Sequence, residues 1–325
     1  MFISCLVIIT QALLSLGSDL LPCVRCPEIL LLLFIFEASF YRVACHCLLR
    51  SRLNPQSPQS VLPTAASINA SPIDDTWPTV ILIHGHSGSV FTSLNPIVKD
   101  ALLSVGDHNV IVVDWSEYAS LGYSTASSVV PQVAEHLVLF VEQLVTAKAE
   151  ITIENIHIVG FDLGAHVAGH AGRGLRIDAD PNAEPNPIPL TQVARITGLD
   201  PSGNGWGLNS GRLGVTDARY VEVIHTDGKG IFAYGIGIPL GNIDFFANGG
   251  NSQPGCFSHS CCHDRAFELF AASMINPRLV GYPCASTTQL NLNRCNGLPV
   301  RLGTNELFKT GFGIYRANTR RNFPF

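Results

Sequence analysis

Charge is scarce in this chain: only 14% of its 325 residues are Asp, Glu, Lys or Arg. There is no basic run, and 25 acidic against 20 basic residues leave a formal net charge of −5. Nothing offers a phosphate backbone a dense counter-charge, which argues against nucleic acid as a partner. Low-complexity tracts are lacking as well. The 29 glycines and 20 prolines are spread along the chain, which excludes a linker or a fibrous protein, and there is no internal repeat. No cysteine occurs between Cys47 and Cys256, so the ten cysteines form two groups. Cys5, Cys23, Cys26, Cys45 and Cys47 lie near the start, and Cys256, Cys261, Cys262, Cys284 and Cys295 near the end. A cysteine-free middle with cysteines in short C-terminal loops points to disulfide stapling in an oxidising compartment, hence to an extracellular protein.

What is present suffices for a full core, because 46% of positions are hydrophobic. This amounts to one large domain or two small ones. Residues 1–16 are almost wholly apolar and are followed by Gly17 and Ser18, as at a signal-peptidase site, although no basic segment precedes them. A second apolar run, residues 29–36, is too short to cross a bilayer core of about 30 Å. Either run can serve as the secretion signal; an anchor using both is weakened by Asp19, Arg25 and Glu28 between them. Residues 1–44 are therefore read as targeting or pro-sequence, residues 45–325 as the folded domain, and no stable membrane anchor is expected. Zinc ligation by Cys23, Cys26, Cys45 and Cys47 is disfavoured by the apolar octapeptide between the pairs.

The segments TVILI (79–83), NVIVV (109–113), IHIVG (156–160) and VEVI (221–224) are short β-branched or aliphatic runs, as expected of strands buried on both faces of a parallel sheet. A stretch from about 129 to 149 carries apolar residues at helical spacing. Strands alternating with helices imply βαβ units and an α/β fold. The strand at 156 runs into Gly160-Phe161-Asp162-Leu163-Gly164 and then a helix of small residues. Strand, sharp turn with flanking glycines, and helix make a nucleophile elbow, with Asp162 at its apex where an ester hydrolase carries serine.

These residues resemble the animal neutral lipase family, which includes pancreatic lipase, insect phospholipase A1 and the yolk-protein relatives. The resemblance covers roughly residues 46–325. It rests on Ile83-His84-Gly85, on 109–115 (NVIVVDW), on Gly160 with 163–169 (LGAHVAG), and on 196–201 (ITGLDP). Further matches are 224–227 (IHTD), Asn248-Gly249-Gly250, 253–256 (QPGC) and His263 with Arg265-Ala266. It implies an α/β-hydrolase fold, a mostly parallel central sheet with helices on both faces, and a lipid or lipid-like small molecule as ligand. The chain stops where the catalytic domain of the digestive enzymes would, so no C-terminal β-sandwich domain and no colipase-type partner are expected. Asp162 falls on the family's nucleophile, Asp200 on its acid, His263 on its histidine, and His86 and Leu163 on the two amides of the oxyanion hole. This constellation uses no cofactor and no metal ion.

A carboxylate attacking an ester gives a tetrahedral intermediate that expels the carboxylate in preference to the more basic alkoxide. An ionised Asp also has no proton for His263 to remove. Ester hydrolysis by acyl transfer is therefore disfavoured, and a catalytically impaired protein with a lipid-binding or storage role is expected. Two alternatives stand beside it: an active lipase or phospholipase A1, and an Asp-nucleophile hydrolase that attacks a saturated carbon. The latter needs a group to stabilise the leaving atom, and no inserted cap is visible to supply one.

The remaining polar residues have simpler readings. His157, His166 and His170 match no metal-ligand spacing and are read as packing residues. Asp114 and Asp227 are read as loop-fixing carboxylates. Cys256 and Cys261 are expected to close a four-residue loop, and Cys284 and Cys295 another. By the resemblance, the first of these loops is the lid, here of the short phospholipase A1 kind. Cys262 is left either unpaired or joined to an N-terminal cysteine.

Overall fold

Every residue of the aliphatic runs 79–83, 109–113 and 156–160 is buried. The computed structural model describes residues 46–50, 59–92, 94–180 and 190–325. The expectations about residues 1–44 and about Cys5, Cys23, Cys26 and Cys45 fall outside them. Ala44–Phe325 form one compact unit.

The strands are β1 (His46–Arg50), β2 (Gln59–Val61), β3 (Thr79–Ile83), β4 (Asn109–Asp114), β5 (Ile156–Phe161), β6 (Arg195–Leu199), β7 (Tyr220–His225), β8 (Ile243–Ala247), β9 (Val280–Cys284), β10 (Val300–Arg301) and β11 (Gly313–Ala317). They make one sheet in the order β10-β9-β11-β8-β7-β6-β5-β3-β4-β1-β2. The centre, from β4 to β11, is parallel, while β1 and β2 at one edge and β9 and β10 at the other run antiparallel. This is the α/β-hydrolase arrangement that the resemblance implied.

The longer helices among the described residues are α1 (Leu94–Val105), α2 (Val130–Ala147), α3 (Leu163–Gly174) and α4 (His259–Ile275). Helix α1 packs with α4, and α2 with α3. Leu94, Val98 and Leu102 of α1 are spaced four apart on one face. With Phe267 and Phe270 of α4 they cover Val80 and Leu82 of β3 and Val110 and Val112 of β4. Each such side chain contributes ~1.5–3 kcal/mol on full burial. Helix α3 lies on the opposite face, where a Cβ on Gly172 would meet Ile196 of β6.

Several sequence-based boundaries shift by one or two residues. The predicted helix ends at Ala147, and the fourth strand begins at Tyr220. Strands β1, β2, β6, β8, β9, β10 and β11 and helices α1 and α4 have no counterpart in the sequence-based expectations. In β6 the cause is Arg195, which breaks the apolar run yet is fully buried because it bonds Glu222 of β7 at 2.7 Å. In α1 the cause is Pro96, which the first turn of a helix tolerates because its missing N–H has no partner there anyway.

Candidate active site

At the end of β5 the chain reverses through Asp162, whose φ of 54° and ψ of −120° depart from any regular element. The turn is that tight because α3 must start against the strand that feeds it. A Cβ on Gly160 would strike the backbone of Gly164, so only glycine fits. Asp162 thus stands at the N-terminus of a twelve-residue helix, where the helix dipole favours a negative charge.

The loop after β3 brings His86 against this turn. Its backbone is held from behind by Trp115, whose Nε1 donates to the His84 carbonyl at 2.8 Å and whose ring stacks on the His84 imidazole. Asp114 fixes its own loop by accepting from the Ser116 amide at 3.1 Å. The His86 N–H donates to Asp162 Oδ2 at 2.9 Å, and the Leu163 amide also contacts this carboxylate. Gly85 permits this approach, since a Cβ there would lie 2.5 Å from that of Asp162.

Asp200 follows β6 with φ of 41° and is fully buried. Its Oδ1 accepts from the Thr226 amide at 2.7 Å, its Oδ2 from the Asp227 amide at 3.1 Å. Oδ2 also bonds His263 Nδ1 at 2.6 Å. His263 comes from the second turn of α4, and its Nε2 lies 3.5 Å from Asp162 Oδ1. Phe161 covers one side of the imidazole at 4.5 Å between ring centroids, and Tyr234 meets its edge at 5.5 Å. The five residues named from the resemblance, Asp162, Asp200, His263, His86 and Leu163, therefore converge on one point.

Burial by itself would keep Asp162 neutral. Contact with His263 and its charge, and the Leu163 and His86 amides, overcome this and hold the carboxyl below its usual range. Burial likewise disfavours a cationic His263, yet its contacts with Asp162 and Asp200 and their charges raise the imidazole to about 10. A pKa raised this far makes His263 an imidazolium at neutral pH, facing Asp162 through Nε2 and Asp200 through Nδ1. In that state His263 has no lone pair with which to accept a proton.

A cavity of about 1400 Å³ opens above this triad. Its walls include Phe161, Ile231, Phe232 and Ile236, together with Tyr123, Ser202 and Tyr234. The Tyr123 hydroxyl is committed, donating to the Asn204 carbonyl and contacting Ser202 Oγ, both at 2.8 Å. Asp227 fixes a loop by accepting from the Tyr234 amide at 3.0 Å, and also bonds His259 Nδ1 at 2.6 Å. Sequence reasoning missed His259, Tyr123 and Tyr234. Each reaches the cavity from a different segment, and no local pattern marks them.

The other sequence-based readings can be placed as well. His157 packs against Phe270 and bonds Thr197 Oγ1 at 2.8 Å. His166 stacks on Trp206 and bonds the Ser202 carbonyl at 2.9 Å, and His170 meets the edge of the same indole. Disulfides join Cys256 to Cys261 and Cys284 to Cys295. Cys262 is a buried free thiol whose sulfur accepts from the Gln253 amide.

Comparison with known proteins agrees with this architecture. Residues 34–305 match the family model described as Lipase. Pancreatic lipase-related protein 2 of Cavia porcellus is 35% identical over 263 residues, covering 78% of this chain and 57% of the relative. Lipase member H-A of Xenopus laevis is 35% identical over 263 residues, 76% of this chain and 52% of the relative. Pancreatic triacylglycerol lipase of Homo sapiens is 31% identical over 277 residues, 78% of this chain and 56% of the relative. The chain spans about half the length of these relatives. With a parallel sheet, an elbow after β5 and a carboxylate–imidazole pair at its rim, it belongs to the lipase family.

Proposed function

We propose that this chain is an extracellular lipase-family protein that binds or stores a lipid-like molecule and is impaired as an ester hydrolase. Asp162 stands where the family resemblance places the nucleophilic serine, and one observation carries the reading. Asp162 Oδ2 takes the His86 amide at 2.9 Å, so the donors assigned to a substrate oxyanion are already engaged. His263, the general base of such a triad, lies between two carboxylates, and their contacts and charges raise its pKa so that it holds its own proton at neutral pH. Both halves of the acyl-transfer machinery are thus neutralised by one side chain. The cavity beside them is large enough for an acyl chain and lined in part by apolar side chains.

The loop closed by Cys256 and Cys261 supports an open pocket. Its second half is already the first turn of α4, capped by Ser258, whose Oγ accepts from the Cys261 amide at 3.2 Å. So short a loop cannot cover the cavity, and no interfacial opening step is assigned to it. The test is direct. The purified full chain should hydrolyse p-nitrophenyl butyrate, triolein and phosphatidylcholine no faster than its His263→Ala variant, while quenching or retaining a fluorescent long-chain lipid. Ester turnover lost equally on Asp162→Ala and His263→Ala would overturn this reading.

A further inference from the structure

The arrangement that disables attack on a substrate ester is suited to hydrolysing an ester formed on Asp162 itself. Asp162 Oδ2 faces the His86 amide, so it would remain there as the carbonyl oxygen of such an ester, with its oxyanion donors in place. Oδ1 points to the other side, towards His263 Nε2, where an incoming carbon and a departing atom can be served together. Tyr234 lines the same cavity with its ring against His263, is half-exposed, and its hydroxyl has no hydrogen-bond partner among the described residues. A group able to assist a leaving oxygen is therefore present without any cap domain.

We propose that this chain opens epoxides carried on apolar chains, with Asp162 as nucleophile, His263 as proton donor and then water-activating base, and Tyr234 as a second donor to the ring oxygen. In the first step Oδ1 bonds a ring carbon, and the carbon–oxygen bond of the ring breaks. The freed oxygen takes the proton of His263 Nε2, leaving a hydroxyalkyl ester of Asp162 and a neutral imidazole. Esterification removes the Asp162 charge, one of the two that hold the His263 proton, so the ring becomes a base just when one is needed. Asp200 keeps it oriented through Nδ1 at 2.6 Å.

In the second step His263 takes a proton from water, and the hydroxide adds to Asp162 Cγ. The negative charge falls on Oδ2, facing the donated amides. Collapse breaks the bond from Cγ to Oδ1, and the departing alkoxide takes the proton back from His263. The new carboxylic acid then passes its proton to His263, which restores the ion pair. The balance is one epoxide and one water to one diol. A proton-donating site suits an oxygen leaving group, which is strongly basic as it departs. An ester does not use this route, because its acyl carbon would return the better leaving carboxylate.

The full chain, in excess over 1,2-epoxydodecane in oxygen-18 water, provides the test. The diol of the first turnover should carry no oxygen-18, and one atom of the label should appear in the peptide containing Asp162. Asp162→Ala and the isosteric Asp162→Asn should both abolish diol formation, and Tyr234→Phe should slow formation of the adduct. His263→Gln should lower diol formation by about a hundredfold or more, with the mass of the epoxide added at Asp162. Label in the first-turnover diol, or diol formation that survives Asp162→Ala, overturns the proposal. So does a folded wild-type chain that yields neither diol nor adduct. Only the choice of an apolar substrate rests on the lipid-binding reading. A missing adduct leaves ester-silent lipid binding standing, and ester turnover by the wild type overturns that reading while the oxygen label stays readable.

Discussion

Asp162 determines what its neighbours can do. If its carboxylate alone blocks a site that is otherwise assembled, Asp162→Ser should produce esterase activity on p-nitrophenyl butyrate, sensitive to a phosphonate that labels the new serine and lost again on His263→Ala. Activity well below that of a natural esterase is expected, since a misplacement of about 1 Å costs on the order of a hundredfold. A folded Asp162→Ser protein that neither reacts with the phosphonate nor turns over the ester would leave the pair of Asp200 and His263 without a catalytic role. The imidazolium gives a second prediction. His263 has its pKa raised from 6.5 to about 10, so its contribution to stability is complete below about pH 6.5 and is lost as pH rises through 10. Asp162 is shifted downwards, so its contribution is lost on the acid side. Proton NMR should show the His263 ring still doubly protonated at pH 8. Asp162→Ala should bring its titration down, and a wild-type midpoint near 6.5 would refute the double ion pair.

At the scale of elements, the two C-terminal loops are stapled while Cys262, between them in sequence, is not. Non-reducing peptide mapping should find Cys256 joined to Cys261 and Cys284 to Cys295. Cys262 should resist iodoacetamide until the chain is unfolded, because burial shields its thiol and raises its pKa. Labelling of native Cys262 at the rate of a free peptide thiol would contradict this packing. The same scale shows why some elements were legible and others not. The run at 156–161 and the glycines after it carry a local steric code, so strand, turn and helix follow from neighbouring residues alone. Strand β6 contains a buried arginine, and β9 and the two-residue β10 pair antiparallel at one edge of the sheet; their strand character depends on partners in other segments of the chain.

Across the whole molecule, a buried charge cluster ties the C-terminal segment to the sheet. Arg195 of β6 donates to Glu222 and to the carbonyls of Gly303, Thr304 and Glu306, while Lys309 reaches Glu222 Oε2 at 2.6 Å. Glu222→Ala would leave two buried cations without their carboxylate, at a cost of about 3–5 kcal/mol, and should lower the melting temperature by several degrees. A shift of less than one degree would show that the segment after β10 is held by other contacts. By itself, the sequence determined the alternation of parallel strands and helices, the elbow with Asp162 at its apex, and the membership of a lipase lineage. All of these rest on periodicity, steric punctuation and ordered short motifs within a few residues. Only the tertiary structure decided that the Asp162 carboxylate would meet the His86 amide from 76 residues away, that His263 would lie between two carboxylates, and that Tyr234 would face the same cavity. Those are distances between strands and loops remote in the chain, and with them burial and charge that turn a local pattern into a protonation state.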